Sequence, residues 1–422
     1  MKRVAVVGAG AAGLAAAKNL REESDKFQFT VFEQTGNVGG TWVYTERVGK
    51  DEFGLPIHSS MYKSLRTNLP KEVMGFPDYP IPAQEKSYLV SAEILKFLEN
   101  YAKDFKLYDH IKFFHLVTSI TPINGRWSVK VKDLKNNKEK ELEFDAVMVC
   151  NGHYSTPYIP RIVGAEEFKG NQIHSHDYRI PEIFRQQRVV VIGAGPSGMD
   201  LALEISREAK TVILSHHLKD PIATKFPDNV LQKPDIEFMH EKGITFKDGS
   251  TAEVDTIFYC TGYRYNFPFL SEACRVRVED NHVKPLYKHL IHTEFPTLCF
   301  IGLPFYVCAF SLFDLQCRFF LRVFEGTMTL PSMEQMNADA EREQLKRREM
   351  GFGNRQAHMM GPLQGDYYDD LARTSGIEGL PPVLTKLHNL SSQRFLDDLI
   401  NYRNDIFKVI DSENYVHVKL SH

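Results

Sequence analysis

Two glycine-rich turns, one at the start of the chain and one near its middle, constrain the fold of these 422 residues most strongly. The first turn contains the glycines Gly8, Gly10 and Gly13. It follows an apolar strand over residues 3–7 and precedes an alanine-rich helix over residues 11–20. The next strand, over residues 27–32, ends beside Glu33. This order of strand, glycine turn, helix, strand and acid predicts a βαβ unit that binds a dinucleotide.

The second turn repeats the order, with the glycines Gly193, Gly195 and Gly198. An apolar strand over residues 188–192 leads into it, and a helix over residues 199–208 follows. The next strand covers residues 211–214. Two such units in one chain predict an α/β protein with two dinucleotide-binding, Rossmann-like domains.

The segments outside the two units indicate how the domains divide the chain. Between the units lie an amphipathic helix over residues 91–104 and an apolar strand over residues 146–150. Beyond the second unit, a strand over residues 297–301 and a helical region continue to the C-terminus. We therefore expect the second domain to be inserted into the first, with the segments 1–160, 161–285 and 286–422.

The start of the helix in each unit offers free backbone N–H groups to a pyrophosphate, and Glu33 is placed to accept hydrogen bonds from a ribose diol. The candidate residues of the first dinucleotide site are Gly8, Gly10, Ala11, Ala12, Gly13 and Glu33. Those of the second site are Gly193, Gly195, Pro196, Ser197 and Gly198.

The second unit has no acid at the end of its outgoing strand. Ser215 and His216 stand there, followed by His217 and Lys219. A carboxylate would repel the 2′-phosphate of NADPH, whereas hydroxyl, imidazole and ammonium groups attract it. We therefore expect NADPH at this site, bound by Ser215 and His216. No arginine is present at this point, so the strictness of the preference over NADH stays open.

Composition excludes several classes of partner. The net charge of −3 gives no electrostatic basis for binding nucleic acid or an anionic membrane. No apolar stretch approaches the roughly 20 residues that span a bilayer. The six cysteines form no CxxC pair and no zinc-ligand spacing, which favours free thiols, a reducing compartment and no metal site. We expect a soluble cytoplasmic protein. Secretion after removal of a leader is the alternative, and homo-oligomerisation stays open.

Four strings within the chain are similar to those of a known family. Residues 168–178 read FKGNQIHSHDY, which fits the pattern FxGxxxHxxxY, and they lead into the second glycine turn. A GGTW string covers residues 39–42. Residues 61–72 include Asn68 before Leu-Pro, and residues 313–319 include Gln316. Together these strings resemble the flavin-containing monooxygenases, in particular the N- and S-oxygenating branch of class B.

The resemblance assigns cofactors and residues. It implies FAD at the first site, wrapped by Gly40, Thr41 and Trp42, and NADPH at the second. It implies further cofactor contacts from Thr67, Asn68 and Gln316. Asn68, facing both flavin and nicotinamide, is the candidate catalytic residue. Without the resemblance, residues 68–70 would be interpreted only as a turn. His174, within the FxGxxxHxxxY string, is expected to join the domains rather than to transfer protons.

The resemblance also implies a reaction. NADPH reduces FAD, dioxygen gives a C4a-hydroperoxyflavin, and a tertiary amine nitrogen or a thioether sulfur takes one oxygen atom. The small-molecule nucleophile and O2 are then the only partners required. The chain is most similar to insect members of the family, some of which detoxify pyrrolizidine alkaloids by N-oxygenation. A Baeyer–Villiger monooxygenase and an NADPH-dependent flavin oxidase or reductase are the alternatives. Tyr178 disfavours the former, because that group favours Trp at this position.

Overall fold

The computed structural model describes residues 1–419, which contain two large, mainly parallel sheets, smaller antiparallel sheets and several α-helices. The α-helices of this part of the chain are α1 (Ala11–Glu22), α2 (Ser91–Asp104), α3 (Pro196–Ile205), α4 (Ala309–Glu325), α5 (Met333–Glu349), α6 (Gln364–Ser375) and α7 (Pro382–Asp397). The strands of the first half are β1 (Lys2–Val7), β2 (Phe27–Glu33), β3 (Ile111–Phe113), β4 (His115–Ile123), β5 (Arg126–Asp133), β6 (Lys138–Phe144), β7 (Ala146–Val149), β8 (Asn171–His174), β9 (Arg188–Ile192) and β10 (Thr211–Ser215). The remaining strands are β11 (Val230–Lys233), β12 (Ile236–Met239), β13 (Gly243–Phe246), β14 (Thr251–Glu253), β15 (Thr256–Tyr259), β16 (Arg277–Glu279), β17 (His282–Lys284), β18 (Leu286–Tyr287), β19 (Ile291–His292), β20 (Leu298–Phe300), β21 (Ile406–Val409) and β22 (Tyr415–Val418).

The first large sheet has seven strands in the order β18-β19-β20-β7-β1-β2-β3. Its five strands from β20 to β3 are parallel, and β18 and β19 are antiparallel additions at one edge. Successive side chains of β1 point to opposite faces. Val4 and Val6 pack in the core with α1 and α4, whereas Ala5 and Val7 pack against the antiparallel sheet β4-β5-β6. Both faces are covered from Val4 to Val7, which is why this part of β1 is apolar.

The second large sheet repeats this construction. Its five strands, in the order β11-β10-β9-β15-β8, are all parallel. Val189 and Val191 of β9 share a core with α3, whereas Val190 and Ile192 pack against the antiparallel sheet β12-β13-β14. The strands of this sheet lie in the sequence between β7 and β18 of the first sheet. The predicted fold class, two Rossmann-like domains with the second inserted into the first, is confirmed.

Most predicted elements are present, with shifted ends. The helix over residues 91–104 is found as predicted, and β9 has the predicted bounds. The helix after the second turn begins at Pro196 rather than at residue 199, and it ends at Ile205. Proline is favoured in the first turn of a helix because its fixed φ suits the helix and its missing N–H leaves no unmet donor.

The C-terminal region contacts both halves of the molecule. Helix α4 packs against α1 in the core of the first sheet. Leu387 and Phe395 of α7, together with Tyr402 and Phe407, belong instead to the core that contains α3 and β9. Within residues 286–419, α4 therefore contributes to the core of the first sheet and α7 to the core that contains α3 and β9.

No helix within residues 1–419 has the length and apolar character needed to cross a lipid bilayer.

Candidate cofactor and active site

The two glycine turns have nearly the same backbone geometry. The first glycine of each turn has a left-handed φ, +100° at Gly8 and +103° at Gly193. A Cβ atom on Gly13 would lie 1.8 Å from the Gly8 carbonyl oxygen, and one on Gly198 would lie 1.8 Å from the Gly193 oxygen. Only glycine fits at these two positions, because the helix there packs directly on the preceding turn.

The middle glycine of each turn faces space. A Cβ atom on Gly195 would have no neighbour within 4 Å, and one on Gly10 would meet only Gly40, at 3.5 Å. Helices α1 and α3 begin immediately after these glycines, so the free backbone N–H groups of each first turn lie next to the middle glycine of that turn. Those first turns contain the predicted residues Ala11, Ala12, Pro196 and Ser197. Both turns therefore have the form of a pyrophosphate cradle.

Glu33 ends β2 and is buried beside the first turn. Its Oε2 atom accepts a hydrogen bond from the Ala9 N–H at 2.8 Å. Its Oε1 atom accepts from the backbone N–H and the hydroxyl of Thr35, each at 2.8 Å. Three donors fix the carboxylate at the rim of the turn, in the place from which it can reach a ribose.

The predicted residues Gly40, Thr41 and Trp42 form one 3-10 turn against the first cradle. The ring of Trp42 packs edge-on against Phe310, with 6.5 Å between ring centroids. The Oγ1 atom of Thr41 is buried and has no hydrogen-bond partner within the described residues. An unpartnered buried hydroxyl beside an open phosphate cradle is what a bound dinucleotide would satisfy. These residues therefore fit FAD.

At the rim of the second turn, Ser215 and His216 both bond within the protein. Ser215 is fully buried, and its hydroxyl donates to the Pro234 carbonyl at 2.8 Å. The Nε2 atom of His216 bonds to Gln232 Oε1 at 3.1 Å, and its Nδ1 accepts from the Leu218 N–H. Both side chains therefore have hydrogen-bond partners within the protein, and their contact with the coenzyme stays a prediction. The exposed side chains that follow are those of His217, Leu218, Lys219 and Asp220.

Asn68 lies where the two cores meet. Its side chain is exposed, and the next residue, Leu69, packs against the cores of both large sheets. Thr67 is buried and anchors the segment, since its N–H donates to Leu89 O at 2.8 Å and its hydroxyl accepts from the Leu89 N–H at 3.1 Å. A fixed backbone with a free amide side chain suits the catalytic position predicted for Asn68.

Helix α3 contributes two carboxylates that sequence reasoning missed. Asp200 pairs with Arg403, with 2.6 Å between Nη1 and Oδ1, and it accepts from the Tyr62 hydroxyl at 2.6 Å. One helical turn further on, Glu204 accepts from the Tyr178 hydroxyl at 2.6 Å. No local pattern marks these residues, because their partners are far away in the sequence.

The FxGxxxHxxxY string joins the domains without offering a free base. His174 Nδ1 accepts from the His176 N–H at 3.1 Å, and its Nε2 bonds to Gly262 O at 3.0 Å. Burial lowers the pKa of His174 to about 4, so the ring stays neutral. The adjacent Arg179 is buried and donates to five backbone carbonyls, those of Thr45, Arg47, Ser59, His176 and Tyr178. These contacts agree with a joining role.

Gln316 is one of the predicted cofactor contacts. It is fully buried on α4, its Oε1 accepts from the Gly302 N–H, and its Nε2 donates to the Tyr367 hydroxyl, both at 2.9 Å. Both polar atoms of the side chain are therefore satisfied within the protein. The cofactor contact of Gln316 stays a prediction.

The six cysteines are free, buried thiols. Within residues 1–419 no cluster of three or more His, Cys, Asp or Glu side chains has the arrangement of a metal site.

Two phosphate cradles lie in separate Rossmann-like sheets, one with Glu33 at its rim and one with His216 at the equivalent position, and together they define an oxidoreductase that uses two dinucleotides. A family model described as flavin-binding monooxygenase-like matches residues 1–229 and 218–392. The chain belongs to this family. Membership confirms the predicted enzyme class, a flavin- and NADPH-dependent monooxygenase with a small-molecule substrate and O2 as its reactants.

Relatives match over almost the whole chain. Senecionine N-oxygenase of Tyria jacobaeae is 35% identical over 420 residues, which cover 98% of this chain and 91% of that protein. Flavin-containing monooxygenase GS-OX5 of Arabidopsis thaliana is 41% identical over 391 residues, 88% of this chain and 84% of that protein. The structure of S-allyl-L-cysteine S-oxygenase from Allium sativum matches with a TM-score of 0.89 and 36% identity, covering 96% of this chain and 95% of that one.

Proposed function

We propose that this protein transfers one oxygen atom from O2 to a tertiary amine nitrogen or a thioether sulfur, with xenobiotic amines or plant alkaloids as its substrates. The observation that carries the proposal is the position of Asn68. Its segment contacts the cores of both large sheets through Leu69, and the Asn68 side chain itself is exposed. One relative is named for N-oxygenation of senecionine and another for S-oxygenation of an allyl cysteine, which supports both acceptor atoms.

The chemistry that FAD supplies when bound is the activation of dioxygen with electrons taken from NADPH. Residues of the chain bind and orient the two cofactors and shield the reaction from water. The cradle at Gly10 and Glu33 holds FAD, and the cradle at Gly195 holds NADPH. Asn68 donates and accepts hydrogen bonds without titrating, because an amide carries both groups at every working pH. His174 and the FxGxxxHxxxY string keep the two cradles in register.

Product analysis tests the reaction. We expect the purified holoenzyme with NADPH and air to convert a tertiary amine, a pyrrolizidine alkaloid or a thioether into its oxide, and to leave a ketone unchanged. An ester from the ketone would establish a Baeyer–Villiger enzyme instead. Oxidation of NADPH that yields only hydrogen peroxide would establish an oxidase.

A variant pair tests Asn68. Asn68→Ala removes the amide but leaves both cradles intact, so we expect bound flavin to be retained and oxide formation to fall about 100-fold. Lys63→Ala is the matched control, because Lys63 is exposed in the same segment and its backbone keeps the bond to Arg179 O. Equal oxide yields from the two variants would remove Asn68 from the mechanism.

Three further proposals concern the whole protein. We place the domain boundaries at 1–160, 161–285 and 286–422, which limited proteolysis tests. We assign the protein to the cytoplasm, because its six buried free thiols suit a reducing compartment; a disulfide in the native protein would favour secretion. Homo-oligomerisation is to be tested by sedimentation.

A further inference from the structure

A partly buried ion pair between Arg403 and Asp200 connects the C-terminal region to α3, the helix of the second cradle. The guanidinium of Arg403 approaches both oxygens of Asp200, with 2.6 Å from Nη1 to Oδ1 and 3.0 Å from Nη2 to Oδ2. The two side chains are 16% and 15% exposed. Such a two-point contact fixes the orientation of both groups, which a single contact from a lysine would not do.

The same guanidinium holds the backbone that precedes Asn68. Its Nε atom donates to the Thr67 carbonyl at 3.0 Å, and Nη2 donates to the Arg66 carbonyl at 3.3 Å. The Thr67 carbonyl belongs to the peptide unit that joins Thr67 to Asn68. Because a peptide unit is planar, holding its oxygen fixes the direction of the whole unit and of the Asn68 Cα atom within it.

Helix α3 holds the same segment at two more points. The Tyr62 hydroxyl donates to Asp200 Oδ2 at 2.6 Å, and the Ser64 hydroxyl donates to Glu204. Burial lowers the pKa of the Arg403 guanidinium, but the charge of Asp200 more than offsets this and leaves that pKa above its usual value. Burial also raises the pKa of Tyr62 well above its usual value. Both groups therefore remain donors at any working pH.

We propose that Arg403 and Asp200 are positioning residues for oxygen transfer: they fix the Thr67–Asn68 peptide relative to α3, and so set the distance from the Asn68 amide to the nicotinamide cradle. The inference rests on the proposed role of Asn68. It adds that this role depends on two residues that lie outside both glycine turns and are far apart in the sequence. A displacement of about 1 Å in a reacting group can lower a rate about 100-fold, so loosening this peptide should matter even though fold and flavin remain.

Conservative variants of the holoenzyme test the inference. Arg403→Lys keeps the charge but cannot reach Asp200 and Thr67 together. Arg347→Lys is the matched control, because Arg347 is also buried and also binds both a carboxylate, Glu343, and a backbone carbonyl. Melting temperature and flavin content are measured for both, so that a general loss of stability is recognised as a shift that both variants share.

Two readouts separate positioning from packing. In Arg403→Lys, the oxide formed per NADPH consumed should fall about 10-fold and hydrogen peroxide should rise, while Arg347→Lys stays within twofold of the parent protein. Adding Arg403→Lys to Asn68→Ala should lower oxide formation no further, because the arginine acts through Asn68. An unchanged yield per NADPH in Arg403→Lys, or full additivity in the double variant, would overturn the inference.

Hydrogen exchange gives a test that does not need oxygenation. Amides of residues 62–70 should exchange about 10-fold faster in Arg403→Lys than in the parent or in Arg347→Lys. Unchanged exchange there would reject the positioning role even if the enzyme is active. If the parent enzyme forms no oxide at all, the proposed function fails, and faster exchange in Arg403→Lys would still support the contact on which the inference is built.

Discussion

The two glycine turns share a backbone and differ at their rims. The Gly8 N–H donates to the Phe32 carbonyl at 2.8 Å, and the Gly193 N–H donates to the Ser215 carbonyl at 2.9 Å. Ser215 therefore occupies the place of Phe32, and His216 the place of Glu33. The backbone of the cradle is thus common to both turns, whereas the next position holds an acid at the first turn and a histidine at the second.

The two rim positions also bond differently. Glu33 turns its carboxylate toward its own glycine turn, where Ala9 donates to it. His216 turns away from its turn and bonds to Gln232. The exposed residues that follow His216 are His217, Leu218, Lys219 and Asp220. A carboxylate at the position of Glu33 suits a free ribose diol, and its absence at the position of His216 leaves room for a ribose that carries a phosphate.

The largest loss of cofactor binding is expected from substitutions at the third glycine of each turn, where the two turns are most alike. Gly13→Ala and Gly198→Ala each place a methyl group 1.8 Å from a carbonyl oxygen, so the helix must move away from its strand. We expect Gly13→Ala to lose nearly all bound flavin, and Gly198→Ala to lose NADPH-dependent reduction while it retains at least part of its flavin. Absorbance near the flavin maximum and anaerobic reduction measure the two losses. Parent-like behaviour of either variant would contradict the packing described for that turn.

The middle glycines should separate binding from folding. A side chain at Gly195 meets no protein atom within 4 Å, so Gly195→Val should leave melting temperature and flavin content unchanged. It should raise the KM for NADPH about 10- to 100-fold, because the valine occupies the space of the pyrophosphate. Steady-state kinetics measure this, with parent flavin content as the control. An unchanged KM would show that NADPH binds elsewhere.

Substitution of Glu33 should weaken FAD binding more than substitution of His216 weakens NADPH binding. Glu33→Gln keeps the shape but removes the charge, so its bonds to Ala9 and to a ribose weaken, and we expect FAD affinity to fall about 10-fold. His216→Gln should change the KM for NADPH less than threefold, because the ring is already bonded within the protein. Flavin titration measures the FAD affinity of Glu33→Gln, and steady-state kinetics measure the KM for NADPH of His216→Gln. Equal fold-changes in the two variants would contradict the difference described between the two rims.

The smallest expected effect is a change in the preference for NADPH over NADH. Lys219→Ala should lower the preference for NADPH over NADH about 3- to 10-fold, because an exposed ammonium group contributes modestly to phosphate binding. Ser215→Ala, the buried comparison, should leave the preference unchanged. The ratio of kcat/KM values for the two coenzymes gives the answer. A larger change in Ser215→Ala than in Lys219→Ala would support the sequence-based assignment.

Local patterns predicted the local features. The glycine turns, Glu33 and the helix over residues 91–104 depend on residues near one another in sequence, and spacing alone defines them. The face of Ser215 was not predictable in this way, because its strand extends one residue beyond the predicted end and side chains alternate between faces. The Arg403–Asp200 pair joins distant parts of the chain, which no local pattern encodes. The bonds of Gln316 to Gly302 and Tyr367 likewise join parts of the chain that no local pattern links, so they were not predicted.

Oxygen labelling tests the central claim most directly. The holoenzyme is supplied with NADPH, a tertiary amine and ¹⁸O2, and the product is analysed by mass spectrometry together with the NADPH consumed. The account predicts an N-oxide with one ¹⁸O atom and about one NADPH oxidised per product, as monooxygenation requires. An unlabelled oxide, or complete conversion of the consumed NADPH into hydrogen peroxide with the amine unchanged, would contradict it.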